Sequence, residues 1–159
     1  MNSMGYDAMV VCNHDFAYGW QRLSELAEKA NFPLLSANVR KPDGVPLLET
    51  STIKELDGLK VGIFGLTTTE IPRKTHPRNV EGLIFDDPVH TAKQIVEVLN
   101  QECDLIIALV HLPLIGAQDS CARLAEEVEG IDLIVSGHSH IPLKNSMVVN
   151  DTLIVQAGE

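Results

Sequence analysis

Four histidines and one asparagine in this chain come directly after apolar stretches, at positions where side chains could do chemistry. Apolar residues lead into Asn13 and His14 in VVCNH, into His111 in IIALVH, and into His138 and His140 in LIVSGHSH. In a layered α/β fold the carboxyl ends of the strands form the ligand-binding edge of the sheet. We therefore expect these five side chains to meet in one crevice.

The residue types at these positions are those of a metal site. Imidazole is a common ligand for transition metals, and the spacing of His138 and His140 aims both rings to one side if that segment is extended. A single histidine at a strand end is more often a hydrogen-bonded surface residue, and His111 alone would be interpreted in that way. Because three strand ends repeat the pattern, a metal site is favoured. His76 and His90 lack such a setting and are predicted to be structural.

Apolar periodicity predicts the elements that would position these residues. Strands are predicted over residues 7–12, 32–39, 60–66, 104–110, 131–136, 147–149 and 152–155, and helices over 20–30, 87–99 and 118–128. The strand at 104–110 is almost wholly apolar, which is typical of a strand covered on both faces. Turn residues at 41–44 lead into a polar stretch, and residues 67–87 are predicted to form one long ordered loop. This alternation predicts a single α/β layered domain.

Composition excludes some classes of function. The chain has 159 residues, 45% of them hydrophobic, and 12 Lys and Arg against 22 Asp and Glu give a formal net charge of −10. Such a charge opposes non-specific binding to nucleic acid polymers, whereas an anionic small substrate could still bind beside a metal ion. No apolar run approaches the length of a membrane span, and no signal peptide is recognisable.

The cysteines and one basic segment have simple structural interpretations. Cys12, Cys103 and Cys121 form no CxxC pair and are odd in number, so we predict packing residues and no disulfide framework. The basic residues within 73–78 could contact a phosphate, but a solvated loop is the favoured interpretation.

Three motifs in order carry a family resemblance. MGYDAMVVCNHDFAYG resembles the GNHE/D segment of calcineurin-like metallophosphoesterases, in the form found in the bacterial 5′-nucleotidase and 2′,3′-cyclic-nucleotide phosphodiesterase group. VHLPLIGAQDSCARLAEEVEGIDLIVSGHSH is similar to that group's second histidine motif, the helix after it and its GHxH motif. The resemblance runs from Met1 to Glu159. It implies an α/β layered metallophosphoesterase-type fold, of which residues 1–159 are the carboxyl-terminal part.

The resemblance also implies roles for single residues. Asn13, His111 and His138 would bind one metal ion, His140 would bind a second, and His14 would be the catalytic histidine. In this family two divalent ions such as Mn²⁺ or Zn²⁺ activate a hydroxide that attacks phosphorus, while the histidine assists the leaving oxygen. The implied reaction is the hydrolysis of phosphoester bonds in nucleotides.

The sequence departs from the family pattern in two ways. The family's metal site also uses an Asp-x-His and a Gly-Asp motif upstream of the Asn-His segment, and the twelve residues before Asn13 contain neither. Ala17 stands where the family usually has an Asp that orients the catalytic histidine, and Asp15 occupies the family's Glu position. Two dications about 4 Å apart repel by roughly 15–20 kcal/mol at an effective dielectric near 20, which neutral ligands cannot offset. We therefore expect a domain truncated at its amino terminus that holds at most one ion and hydrolyses phosphoesters poorly.

Two functions remain open at this point. The first is a phosphoesterase acting on a nucleotide or another small phosphoester, at full strength in a longer parent protein. The second is a non-catalytic metal-binding or interaction domain that keeps the fold. The resemblance implies a periplasmic, cell-surface or secreted location. Strand edges left unpaired predict self-association into oligomers.

Overall fold

The computed structural model describes residues 1–158. In chain order the strands are β1 (Met9–Val10), β2 (Leu34–Leu35), β3 (Val39–Arg40), β4 (Ser51–Leu56), β5 (Leu59–Thr67), β6 (Ile84–Phe85), β7 (Leu105–His111), β8 (Leu133–Ser136), β9 (Met147–Val149) and β10 (Thr152–Gln156). The α-helices are α1 (Trp20–Ala27), α2 (Ile71–Lys74), α3 (Pro88–Leu99) and α4 (Cys121–Glu127). Short 3-10 helices span Asn2–Met4, Asn13–Tyr18 and Pro77–Val80.

Six strands form the main sheet in the order β4-β5-β7-β8-β10-β9. The inner strands β5, β7, β8 and β10 are parallel, and β4 and β9 pair antiparallel at the two edges. The parallel strands therefore end along one edge, at Thr67, His111, Ser136 and Gln156. The predicted α/β layered fold is confirmed, and this edge carries most of the candidate side chains.

Helices α3 and α4 cover one face of this sheet. Helix α3 begins as predicted at Asp87-Pro88, where the Asp87 carboxylate accepts a hydrogen bond of 2.8 Å from the backbone N–H of His90. On the sheet, alternate residues of β7 are fully buried under the helices: Ile106, Ala108 and Val110. Burial of this aliphatic layer is the main favourable term that holds the strands in place.

The opposite face of the sheet is only partly covered. The alternate residues Leu105, Ile107 and Leu109 of β7 are half-buried, so the prediction of a strand covered on both faces holds for one face only. Towards the β9 edge of the sheet no other element covers this face among the described residues. Five aliphatic side chains of β8, β9 and β10 lie next to one another there, in register. This open face consists of Leu133, Val135, Val148, Leu153 and Val155. Their exposure reaches 66% at Val148.

A small second layer lies against the covered part of that face. It contains the parallel pair β1–β2 and the antiparallel pair β3–β6. The two layers approach closely at Gly65, where an added Cβ would lie 2.5 Å from Leu35 Cβ and 2.8 Å from the Leu35 carbonyl oxygen. Real side chains do not approach backbone so closely, and a residue without a side chain is required there.

The segment 32–39 differs from its prediction as one strand. It contains the end-to-end strands β2 and β3, separated where Ser36 donates its N–H to the Glu49 carbonyl at 2.8 Å. The fully buried Asn38 side chain donates to the carbonyl of Thr67 at 2.8 Å and accepts from the Thr67 N–H at 2.9 Å. These bonds to Thr67, which is distant in the sequence, take the place of the ladder that a continuous strand would make.

Two further differences lie in polar segments. Strand β4 was not predicted; it pairs antiparallel with β5 over Ser51–Leu56 and exposes much of its surface, so its apolar pattern is weak. The predicted loop at 67–87 contains α2, the 3-10 helix Pro77–Val80 and β6. The remaining predicted strands, helices and the closing hairpin are confirmed, with ends shifted by up to three residues.

The cysteines are free thiols, with Cys121 fully buried and Cys12 and Cys103 half-buried. Within residues 1–158, none of the helices combines the length and apolar character needed to cross a bilayer.

Candidate metal centre

His111 is the last residue of β7 and lies beside Thr67 of β5 in the parallel register. Its carbonyl accepts a hydrogen bond of 3.0 Å from the Thr68 N–H. The ring is half-buried at the carboxyl edge of the sheet. The backbone ladder on both sides of the strand therefore fixes the direction of this side chain.

Asn13 and His14 begin the 3-10 helix that follows β1. The Asp15 carboxylate accepts a 2.7 Å hydrogen bond from the Cys12 N–H, which closes the first turn. At the other end of the helix, Asn79 donates its amide to the Ala17 carbonyl at 2.8 Å. The first contact fixes the turn itself, and the second joins it to the 3-10 helix Pro77–Val80. The Asn13 side chain then lies beside the end of β7.

Three donor atoms converge at this point. Asn13 Oδ1 lies 2.8 Å from His111 Nε2, and His138 Nδ1 lies 3.0 Å from the same nitrogen. The two rings meet edge to face, with centroids 4.7 Å apart. One proton on His111 Nε2 cannot align with both neighbours, because an imidazole nitrogen is either a donor or an acceptor. A cation between the three atoms would engage all their lone pairs, so the donor set fits one divalent ion such as Zn²⁺ or Mn²⁺.

His138 and His140 lie in the turn that follows β8. The Gly137 N–H donates to the Val110 carbonyl at 3.0 Å, and the Ser139 hydroxyl accepts from the Leu114 N–H at 2.8 Å. The backbone is left-handed at His138 (φ 77°) and at His140 (φ 57°). The segment is therefore not extended, so the condition under which the two-residue spacing would aim both rings to one side is not met. The turn is instead what brings the His138 ring to His111.

Burial keeps the two central rings neutral. It lowers the pKa of His111 from 6.5 to about 4, and charge on His138, His14 and His140 would lower it further in the same direction. Burial also lowers the pKa of His138, with Lys74 acting in the same sense and Glu70 and Asp119 against it. The neutral imidazole is the form that binds a metal ion, so both rings are in their ligating state at neutral pH.

The other two predicted site residues lie around this centre. His14 and His140 are both exposed. His140 lines a pocket of about 280 Å³ together with His111 and His138. Ala17, two residues after the Asp15 anchor, is exposed and offers no acceptor that could orient His14. The structure thus brings Asn13, His111 and His138 into contact and places His140 on the same pocket.

The centre is poor in negative charge. Within residues 1–158, no three His, Cys, Asp or Glu side chains come together in a way that would hold a metal ion. Two carboxylates act on His138 through their charge, but each already has partners. Asp119 is buried and accepts from Thr68 Oγ1 at 2.7 Å and from the Thr69 N–H at 2.9 Å, and Glu70 pairs with Lys74 at 3.5 Å. Nothing in the polar sequence around Asp119 indicated that it would be buried beside the site.

The remaining histidines and the basic group lie on the surface, and of these Lys74 is near enough to His138 to lower its pKa. His76 accepts from the Arg78 N–H through Nδ1, and His90 lies in the first turn of α3; both are exposed. Arg73, Lys74 and Arg78 are exposed on α2 and the following 3-10 helix, a placement that fits either a solvated segment or contact with a phosphate.

The chain is similar to known proteins along almost its whole length. The family model described as calcineurin-like phosphoesterase matches residues 4–142. A 5′-nucleotidase of Vibrio cholerae is 35% identical over 154 residues, which cover 90% of this chain and 28% of the relative. The trifunctional nucleotide phosphoesterase protein YfkN of Bacillus subtilis is 32% identical over an alignment that covers 100% of this chain and 13% of that protein. The chain thus spans less than a third of the length of these relatives.

A solved structure shares the fold. The crystal structure of the calcineurin-like phosphoesterase YfkN from Bacillus subtilis superposes with a TM-score of 0.89 at 28% identity, covering 100% of this chain and 56% of that one. The order of the motifs, the convergence of Asn13, His111 and His138, and a family match over residues 4–142 lead to one conclusion. This chain belongs to the calcineurin-like phosphoesterases, a family of metal-dependent phosphoester hydrolases.

Proposed function

We propose that this domain serves the hydrolysis of phosphoester bonds in nucleotides, of the 5′-nucleotidase or cyclic-nucleotide phosphodiesterase type, by a two-metal mechanism in a longer protein. By itself the chain is proposed to be weakly active or inactive. The observation that carries the proposal is the convergence of Asn13 Oδ1, His111 Nε2 and His138 Nδ1, with contacts of 2.8 and 3.0 Å. The nucleotidase relatives support the choice of substrate class.

Each residue has a defined task in this proposal. Asn13, His111 and His138 hold one divalent ion, and His140 serves the second. A bound ion supplies Lewis-acid polarisation of the phosphoryl group and a more acidic water. His14, exposed beside the centre, donates a proton to the leaving oxygen, which is the role of a general acid.

Charge limits what the chain can do alone. The electrostatic attraction between a dication and a neutral oxygen or nitrogen ligand is much weaker than that between a dication and a carboxylate. Neutral ligands therefore cannot offset the repulsion between two dications. Of the residues that the structure describes, the two carboxylates whose charge acts on His138 are Asp119 and Glu70, and both already have other partners. We therefore propose at most one weakly held ion, and low turnover also because Ala17 cannot orient His14.

The test combines metal analysis with turnover. The purified chain is titrated with Mn²⁺ and Zn²⁺ by calorimetry, and hydrolysis of AMP, a 2′,3′-cyclic nucleotide and a phosphodiester is followed in added Mn²⁺. The variant His138→Ala should abolish binding and any turnover. His90→Ala, an exposed histidine on α3, is the matched control and should behave as the wild type. Turnover that survives His138→Ala contradicts the site.

A second candidate is a non-catalytic domain that binds a metal ion or a partner protein. The exposed Ala17 and the scarcity of carboxylates at the centre favour it. Stoichiometric ion binding without hydrolysis of any of the three substrates, in the chain and in its longer parent alike, would support this function over the first.

Three further properties belong to the proposal. The partner is a small nucleotide or related phosphoester and not a nucleic acid polymer, in keeping with the net charge of −10. The location is periplasmic, cell-surface or secreted, which fractionation of the source cells can test. The chain self-associates through its exposed sheet edges and the adjoining open face of Leu133, Val135, Val148, Leu153 and Val155, because contiguous aliphatic surface in contact with water is unfavourable.

A further inference from the structure

We propose that Gln156, the last residue of β10, is a positioning residue that holds the turn of residues 137–140 in the shape that brings His138 to His111. This inference rests on the proposed metal site. It concerns how that site is built, and names a residue that is not itself one of its ligands.

The Gln156 side chain forms hydrogen bonds at both ends of the turn. Its side-chain oxygen accepts a 2.9 Å hydrogen bond from Ser136 Oγ, directly before Gly137, and its amide nitrogen donates to the Ile141 carbonyl at 2.6 Å, directly after His140. Its backbone carbonyl also accepts from the Leu143 N–H at 3.0 Å. The side chain is 5% exposed, so water does not compete for these bonds. A carboxamide is suited to this task because it donates and accepts at once.

The Ser136 hydroxyl also connects the turn to the segment after His111, through Cys121. Ser136 Oγ lies 3.1 Å from the buried Cys121 Sγ, and that thiol lies 3.7 Å from the Leu112 carbonyl. Gln156, Ser136 and Cys121 thus link the ends of β10, β8 and β7. The two ligand-bearing segments are held by one buried polar network.

The turn needs such support because its backbone is strained. Two residues other than glycine, His138 and His140, are left-handed at φ 77° and 57°. Such residues persist where the surrounding contacts over-determine them. If the bonds from Gln156 are removed, the turn is free to relax, and His138 Nδ1 no longer stays 3.0 Å from His111 Nε2.

The matched variants are Gln156→Met and Thr152→Val. Methionine keeps the length of the side chain but makes neither hydrogen bond. Thr152 lies on the same face of β10, is 4% exposed, and donates to the Ile131 carbonyl at 2.8 Å, at the end of the strand away from the site. Both variants remove buried hydrogen bonds from one strand, so both lower the denaturation midpoint if the roles are only structural.

Two measurements separate positioning from general stability. The first is amide hydrogen exchange at Gly137 and Leu114, measured in the metal-free chain. The Gly137 N–H donates to the Val110 carbonyl, and the Leu114 N–H donates to the Ser139 hydroxyl. We expect exchange about tenfold faster or more in Gln156→Met and unchanged in Thr152→Val. The second is Zn²⁺ affinity by competition with a chelating dye, expected to fall about 10- to 100-fold in Gln156→Met only.

The outcomes are distinct. Unchanged exchange at Gly137 and Leu114 in Gln156→Met overturns the positioning role. Faster exchange with wild-type Zn²⁺ affinity also overturns it, because the turn would then not matter for the ligand. If the wild type binds no ion, the proposed function fails, while the exchange result still decides whether Gln156 holds the turn. If Gln156→Met does not fold, Ser136→Ala replaces it, because this variant removes one of the two side-chain hydrogen bonds of Gln156. We then expect a smaller increase in amide exchange and a smaller loss of Zn²⁺ affinity.

Discussion

Asn13 Oδ1 lies 2.8 Å from His111 Nε2, although 98 positions separate the two residues in the chain. The contact joins the turn after β1 to the end of β7, and His138 reaches the same nitrogen from the turn after β8. A site built from two imidazoles and a carboxamide has the right donors for one divalent ion but little negative charge to retain it.

Adding a carboxylate at Asn13 should strengthen ion binding. Asn13→Asp keeps an oxygen beside His111 and places a negative charge next to the ion, so Mn²⁺ affinity is expected to rise roughly tenfold or more. Asn145→Asp, which adds the same charge at an exposed position, is the control. Isothermal titration of both variants measures the effect. Equal affinities in the two would show that the ion does not bind at Asn13.

The metal-free chain should lose stability in mild acid. The folded state keeps His111 neutral down to about pH 4, whereas the unfolded chain takes up this proton near pH 6.5. Since the unfolded state then binds more protons, stability is complete above pH 6.5 and falls towards pH 4. Because the ring is only half-buried, we expect about 1–2 kcal/mol, less than the roughly 3 kcal/mol of the full shift.

Urea unfolding at several pH values measures this loss. His111→Gln removes the titrating ring, so its free energy of unfolding should change less between pH 6.5 and 4 than that of the wild type. Parallel pH profiles of the two proteins would assign the acid sensitivity to other groups.

Gly65 should not tolerate a side chain. Gly65→Ala would place Cβ against the Leu35 backbone, and we expect a loss of about 2–4 kcal/mol in the free energy of unfolding. At Gly137 an added Cβ would lie 3.5 Å from His111 Nδ1, an ordinary contact, so Gly137→Ala is expected to cost less. Denaturant titration measures the free energy of unfolding of both variants. A smaller loss at Gly65 than at Gly137 would contradict the close approach of the two layers.

Self-association should depend on the open face. The double variant Val148→Lys with Leu153→Lys places two charges among Leu133, Val135 and Val155, and it is expected to shift the chain to a monomer in sedimentation velocity. Val98 is 59% exposed on the outer side of α3, and Val98→Lys should leave the distribution unchanged. A wild type that stays monomeric at high concentration would rule out the association itself.

The parts of the fold with strong periodic patterns were predictable. Strand β7 and helix α3 have apolar residues at the spacing of their elements, and Asp87-Pro88 begins the helix as predicted. Strand β4 was missed because it is an edge strand with mixed exposure. The break between β2 and β3 depends on the buried Asn38, whose partners at Thr67 and Asp86 are distant in sequence.

The site was predictable to a similar degree. Repeated histidines at strand ends indicated that His111 and His138 would meet, and they do. The left-handed turn at His138 and His140 was not predicted, since left-handed backbone is uncommon in residues other than glycine. Asp119 and Gln156 were missed for a related reason. Each is a single polar residue whose burial depends on tertiary contacts alone.

The long sequence separation between Asn13 and His111 has a kinetic consequence. Contacts between distant residues form late, because the entropy of closing the intervening loop must be overcome first. The candidate centre needs the turn after β1, the end of β7 and the turn after β8 together. No partly folded intermediate that lacks one of these would capture an ion. In a refolding experiment, ion uptake would therefore report the last stage of assembly and trail the appearance of helical signal.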